Sequence, residues 1–413
     1  MRRFLTAFVL VAACSTTALA DHQSSKADAT VARLGALSAQ ERALIQPYLA
    51  QGPIVLTEFQ NQQTDLPAVI YAARIHAPAA TIARVIGRPS DYPTFMRALT
   101  AVDIRAVNGP MTAFDWTWGV TLFSLTGHNV MTTYPGDSTR GYRFDIQTTG
   151  GELGIGRVMW RVYPEGPSQS LIVFSSRLDV RDANYITRQL VSGGTGMNRS
   201  INVAVAMVTL LEVKAEAERR AGTYINGKFP AKPLHRPNVN MEALHSLLGR
   251  GDLVLLDLDG DTLQSVTVVG RLGASVDRVR RVMLDPEEFG KSFLHGSCAE
   301  VIDRTDDGVK FAWEIPIPLL HVGGEMILRP SPTVIAIDGV SGTLSKGQWR
   351  FDTHRYPGGE AGVVAWAAFD PADSPKLMRK LIAGNTQFSH GFVAATQLGV
   401  MRSLRARVRL SGR

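Results

Sequence analysis

The sequence predicts an α+β protein in which one unit, an antiparallel sheet closed by a long helix, is built twice. Three observations carry this expectation. The stretch RIHAPAATIARVIGRPSDY (residues 74–92) returns as RLGASVDRVRRVMLDPEEF (residues 271–289), pairing Arg74 with Arg271, Ala77 with Ala274, Arg84 with Arg281, Val85 with Val282 and Pro89 with Pro286 at a constant offset of 197. Later anchors keep the same order. Phe114, Trp116 and Trp118 match Phe311, Trp313 and Ile315 at 197; Gly151 and Gly156 match Gly342 and Gly347 at 191; Arg188 and Thr195 match Arg379 and Thr386 at 191. A register that slips only between elements marks a duplication. Within each copy, short segments separated by Gly, Pro and Asp turns precede one long helical pattern.

Residues 1–20 read as a targeting segment outside the fold. Arg2 and Arg3 form its basic start, 4–13 its apolar run, and Ala18-Leu19-Ala20 a small-residue cleavage site. In a competing reading, Leu10-Val11-Ala12-Ala13-Cys14 resembles a bacterial lipobox whose Cys14 would be acylated. Both readings predict export, to a soluble periplasmic protein or a lipid-anchored one. Residues 21–37 are polar and small and read as a flexible leader.

The first repeat spans 38–221. Ser38 and Glu41 have capping-box spacing, and the helix they start should run to Gly52-Pro53, with a strand at 54–58. A second strand at 69–75 leads into a helix started by Pro78, with Ile82, Val85 and Ile86 on one face. Strands follow at 114–118, 126–133, 141–148, 156–163 and 170–180, and the helix 197–220 closes the repeat. The linker, 222–240, contains Pro230, Pro233 and Pro237. The second repeat, 241–413, has a helix at 241–248, strands at 253–258 and 265–272, a helix started by Ser275 and a closing helix at 387–409.

The element order, together with IHAPAATIARVIGRPSDYPTFM (strand, Ala-Pro, helix and aromatic-rich turn), resembles the START-like or SRPBCC superfamily, which includes polyketide cyclases and coenzyme Q-binding proteins. The resemblance covers most of 38–409 as two tandem copies and implies helix-grip domains, each a curved antiparallel sheet around a long C-terminal helix. It also implies an apolar cavity for a lipid, sterol, quinone or polyketide. The second copy departs from the pattern, carrying Ser275 where the first has Pro78.

Read from the residues, Phe114, Trp116 and Trp118 alternate with polar neighbours and share one face, as do Phe311, Trp313 and Ile315. Trp160 and Trp349 add large rings after the matched glycines. Met197, Ile201, Val205 and Val208, like Phe388, Phe392, Ala395 and Leu398, form an inward stripe on each closing helix. These aromatic and aliphatic residues are the candidate ligand-binding set. Taken singly, each ring is better explained by core filling; it is several Trp residues on one face that point to a ligand.

Other chemistry is sparse. No G-x-S-x-G elbow, P-loop or H-E-x-x-H occurs, and His76, His128, His321 and His354 have no paired spacing, so no catalytic, metal or cofactor residues are assigned. Val254-Leu255-Leu256-Asp257-Leu258-Asp259-Gly260 resembles motif I of haloacid dehalogenase-like phosphatases, but Asp261 stands where that family needs Thr, and an Asp-Gly hairpin explains the string equally. Two cysteines, Cys14 and Cys298, cannot form a disulfide framework, so stability must come from the apolar cores of the two repeats. The net charge of +7 comes with no basic run carrying interleaved aromatics, which sets nucleic acid aside. Arg402, Arg405, Arg407 and Arg409 read as a solvated helix end that complements the dipole, or else as a surface for transient contact with anionic lipid.

The leading expectation is an exported bacterial protein that binds or transfers apolar ligands. A tandem polyketide aromatase/cyclase and a protein-binding scaffold are the alternatives, and oligomeric state is left open.

Overall fold

The computed structural model describes residues 37–59, 68–120, 123–152, 155–179, 195–225, 229–290, 298–317, 320–370, 373, 379 and 386–410. The expected targeting segment, with Cys14, lies outside the described residues. The chain divides into two compact units, with the division after Lys228.

In the first unit, helix α1 (Ala39–Ile45) begins with the expected capping box: Glu41 N donates to Ser38 Oγ at 3.1 Å and Ser38 N to the Glu41 carboxylate at 2.7 Å. It is shorter than expected, because turns replace helix before Gly52 and bury Tyr48 and Leu49. Strands β1 (Ile54–Glu58) and β2 (Val69–Ile75) form where expected. Helix α2 (Ala79–Ile86) starts at Pro78 and buries Ile82, Val85 and Ile86. A 3-10 turn (Pro89–Asp91) and helix α3 (Tyr92–Phe95) follow. Next come β3 (Leu99–Asn108), β4 (Met111–Val120), β5 (Phe123–Asp137), β6 (Gly141–Gly151), β7 (Ile155–Pro164) and β8 (Ser170–Asp179). Helix α4 (Thr195–Ala221) closes the unit. The strand order is β1-β2-β8-β7-β6-β5-β4-β3, and every pair is antiparallel.

The second unit repeats this order. Helix α5 (His245–Arg250) leads to β9 (Gly251–Asp259) and β10 (Thr262–Ser275). Helices α6 (Val276–Met283) and α7 (Pro286–Gly290) precede β11 (Cys298–Thr305), β12 (Gly308–Ile317), β13 (Leu320–Arg329), β14 (Val334–Gly342), β15 (Gln348–Arg355) and β16 (Glu360–Ala368). Helix α8 (Thr386–Leu410) closes it. The strand order β9-β10-β16-β15-β14-β13-β12-β11 reproduces that of the first unit position by position. The fold is thus α+β, with two helix-grip units in tandem, as the sequence predicts.

Local chemistry explains the divergent helix starts. Pro78 sits at φ −58° and offers no side-chain cap, because its ring fixes that angle and it has no hydroxyl. The Ser275 hydroxyl instead accepts from Arg278 N at 3.4 Å. The acidic string ending in Gly260 is a hairpin. Asp259 pairs with Thr262 across a tight turn in which Gly260 takes φ 55°. In the expected linker, residues 229–240 run along the second unit. Phe229 N donates to Thr262, Lys232 N to Gln264, and Lys232 Nζ lies 2.8 Å from Asp259.

At the basic end of α8 Arg409 is exposed and Arg402 and Arg407 are half-buried, but Arg405 is internal, which corrects the solvated reading for that residue. That guanidinium is buried, bonds Asp252 of β9 bidentately and donates to Arg271 O, while Arg407 reaches Glu288. The pair clamps α8 onto the sheet with both charges out of water. Removing one partner strands the other charge, so Asp252→Ala should destabilise the second unit by roughly 3–5 kcal/mol in chemical denaturation. Replacing both by apolar residues of similar volume should cost far less.

Candidate ligand site

Partners in an antiparallel register lie on the same face of a sheet. Phe144 of β6 is opposite Trp160 of β7, Trp160 opposite Phe174 of β8, and Phe174 opposite Tyr71 of β2. The Tyr71 hydroxyl donates to Val203 O of α4 at 2.7 Å, so this face looks toward the closing helix. Phe114 is opposite Asn129, and Asn129 opposite Thr148, which shares its face with Phe144 and Ile146. Phe114, Trp116, Trp118 and Trp160 therefore share the helix side, as the alternation predicts. Trp160 lies against Phe174 with centroids 4.0 Å apart, and Tyr92 meets Phe114 edge-on at 6.4 Å. Edge-on and offset contacts are the arrangements that the ring quadrupole favours.

The second unit is laid out alike. Trp349 and Phe351 of β15 oppose Ala367 and Ala365 of β16, which oppose Val266 and Val268 of β10. Gly270, on the same side of β10, would place a Cβ 3.3 Å from Met401 Sδ of α8, which identifies the helix side. Phe311, opposite Met326, and Trp313, opposite Gly324, complete the face on β12. Two glycines clear the floor for large rings. A Cβ at Gly127 would come within 2.2 Å of the Trp116 indole, and one at Gly347 within 2.2 Å of Trp349.

The side chains of Met197, Ile201, Val205, Ile315 and Phe388 lie outside the described residues. Val208, Ala395 and Leu398 are buried, whereas Phe392 is only half-buried, along with Thr396 and Gly399. His390 meets Asp261 and Met401 lies against Gly270, so the helical line through His390, Ala394, Gln397 and Met401 is the one that these contacts turn toward β9 and β10, beside the equally buried Leu398. Spacing alone cannot phase it, because α8 is buried around most of its circumference. Tyr71, Tyr92, Phe144, Phe174 and Phe351 also belong to the helix-side faces and lie outside the predicted set. Parity along β6 and β15 is the signal that points to Phe144 and Phe351.

Charge is sorted to the other side. Asp115 bonds His128 Nδ1 at 2.6 Å and also Arg105; Asp145 lies 2.6 and 3.2 Å from Arg143 and Arg157; Asp338 lies 2.6 and 2.7 Å from Arg329 and Arg350. All three occupy positions of opposite parity to the aromatic faces. The hydrogen bond with His128 and then that with Arg105 hold the Asp115 carboxyl below the usual range. A cleft of about 320 Å³ opens on this outer side of the second unit, bordered by Arg236, Asn240, Glu242, Asp352 and His354. Its charges are spent on each other, His354 on Glu242 at 2.9 Å and Arg236 on Asp352, and it lies across the sheet from the aromatic face.

Several buried polar atoms on the helix side lack a partner among the described residues. They include Nε1 of Trp116 and of the equivalent Trp313, Oδ1 of Asn129, Oγ of Ser176, Nδ1 of His390, and both amide atoms of Gln397. Burial pushes the His390 imidazole down to about 4, against the opposing charge and backbone hydrogen bond of Asp261, so the ring is uncharged at neutral pH. Among the described residues no three His, Cys, Asp or Glu side chains gather as a metal site, and no helix is long and apolar enough to cross a membrane.

The strand order, the closing helix and the tandem arrangement make this a START-like fold in two copies. No family model and no curated protein matches the chain. Solved structures do. The chain is similar to the di-domain aromatase/cyclase StfQ of the steffimycin biosynthetic pathway at 12% identity, covering 83% of this chain and 99% of that one with a TM-score of 0.30. It is similar to the Zhui aromatase/cyclase from Streptomyces sp. R1128 at 17% identity, covering 37% and 94%, TM-score 0.32. It is similar to a STAR-related lipid transfer protein from Xanthomonas axonopodis at 9% identity, covering 41% and 94%, TM-score 0.33.

His390 makes stability depend on pH with a definite sign. Its folded pKa is depressed, so the unfolded chain takes up a proton that the native state refuses as pH falls below the ordinary value of 6.5. The stability present above that value should fall by about 3 kcal/mol as pH drops toward about 4, and His390→Phe should lack this component. Denaturation curves for both proteins across that window measure it.

Proposed function

We propose that each unit holds an apolar, lipid-like molecule between the helix side of its sheet and its closing helix, and that the protein binds and transfers such ligands. The observation that carries this is the sorting of side chains. Aromatic and aliphatic groups line the helix sides of both sheets, while the carboxylate–cation pairs formed between strands occupy the outer faces, and the one such pair named on the helix side, Asp252 with Arg405, is spent on seating α8. Recognition sites for apolar ligands are lined in that manner, with few polar groups to set orientation.

The same reading includes export, supported by the basic start, the short apolar run and the Ala18-Leu19-Ala20 site. Arg409, exposed at the end of α8, supports transient contact with an anionic membrane during transfer.

Protein purified natively should release one or two apolar molecules per chain on organic extraction, identified by mass spectrometry. The intact mass should show a chain that begins at Asp21 or at an acylated Cys14. Extracts free of apolar compounds, with water absent from both interiors, would replace the carrier by a protein-binding scaffold. Conversion of a poly-β-ketone by the purified protein would replace it by a cyclase.

A further inference from the structure

The two closing helices present different chemistry to their sheets. With Thr195 and Thr386 aligned at the offset of 191, Gln397 of α8 corresponds to Ala206 of α4. Around Ala206 the described buried residues of α4 include Val203, Met207 and Leu210, all apolar. Gln397 is fully buried, and neither end of its amide has a partner among the described residues. Further back on the same helix face stands His390, 4% exposed, with Nδ1 also unpartnered. The two lie two turns apart, about 10 Å along the axis.

An unpaired buried amide forfeits its bonds to water and receives nothing in return, at a cost that is a large fraction of a domain's net stability. An amide with both ends unsatisfied, on the helix face that meets an aromatic floor, calls for a polar partner. The partner's chemistry follows from that of these two side chains. A pure hydrocarbon would leave the amide unsatisfied. An anion would need a free cation, but the arginines further along this helix are engaged, Arg402 within the fold and Arg405 with Asp252 and Arg271 O. The amide suits an uncharged oxygen that can both accept and donate, and His390, whose ring N–H goes to the Asp261 backbone, offers only the Nδ1 lone pair, which suits a hydroxyl donor and not a carbonyl.

Building on the ligand-site reading above, we propose that the second unit is selective for an uncharged lipid-like ligand bearing a hydroxyl group, which the Gln397 amide receives from the closing helix. The first unit has Ala206 in the place of Gln397 and Arg199 in that of His390, so its closing helix offers a ligand different chemistry. The carrier would then be a two-site protein with unlike specificities.

The test uses full-length protein and a matched set of probes, hexadecanol, hexadecane and palmitate, each competing with Nile red. Hexadecanol should displace the dye from one site at about a tenfold lower concentration than either of the others, the worth of one satisfied hydrogen bond. Gln397→Leu should reduce that advantage to less than about twofold. Because it removes an unsatisfied amide, the same variant should keep or raise its melting temperature. Three results would overturn the inference: hexadecanol preference retained in Gln397→Leu, palmitate preferred by the native protein, or loss of folding in the variant, which would show that the amide is a structural anchor. If hexadecane and hexadecanol compete equally, apolar binding stands and the selectivity falls. If no probe competes, the ligand-site reading falls with it.

Discussion

Each unit depends on one contact, the seating of its closing helix against the first strands of its sheet. In the first unit, Tyr71 of β2 donates to a backbone carbonyl of α4 at Val203, and burial raises its hydroxyl pKa well above the ordinary value. In the second, the seat is ionic, with Arg405 bonded to Asp252 and to Arg271 O. Both solutions tie the helix to the first strand pair of the unit and leave the remaining strands to form the aromatic floor. A neutral hydrogen bond and a buried ion pair fail differently. The first loses about 1 kcal/mol when its donor is removed, while the second is worse broken than absent.

The sorting of faces follows from the sheet's period of two. With one side turned to a helix, each strand must alternate, and Phe114-Asp115-Trp116-Thr117-Trp118 places three rings inward while Asp115 goes outward to His128 and Arg105. The glycines at 127 and 347 are part of the same geometry, because a ring lying flat on the sheet needs a neighbour without a side chain. The orphaned indoles of Trp116 and Trp313, at matched positions, are where this arrangement leaves polar atoms facing inward.

Much of this is legible in the chain. The duplication locates both units, the strand alternation locates the aromatic faces, and capping chemistry locates α1, α2 and α6. What escapes has physical causes. Strand β3 carries mostly exposed residues and two register breaks, so it has no clean alternation. The stripe on α8 is misphased because apolar residues surround that helix, and periodicity cannot select one buried face among several. Gln397 and His390 escape because polar residues within an apolar run resemble solvent-facing ones until their burial is known.

The position of β8 has a consequence for how the chain is made. Val69 of β2 pairs with Ser176 of β8, so the first unit cannot complete its sheet until nearly all of its residues have been synthesised, and the same holds for β10 and β16. Nonlocal pairing of this kind slows folding, and in a tandem protein the waiting strand meets a second suitor of similar pattern. Divergence between the copies answers that hazard. The break in pairing between Arg271 and Ser275 of β10, which β2 does not share, makes each strand a poor substitute for the other.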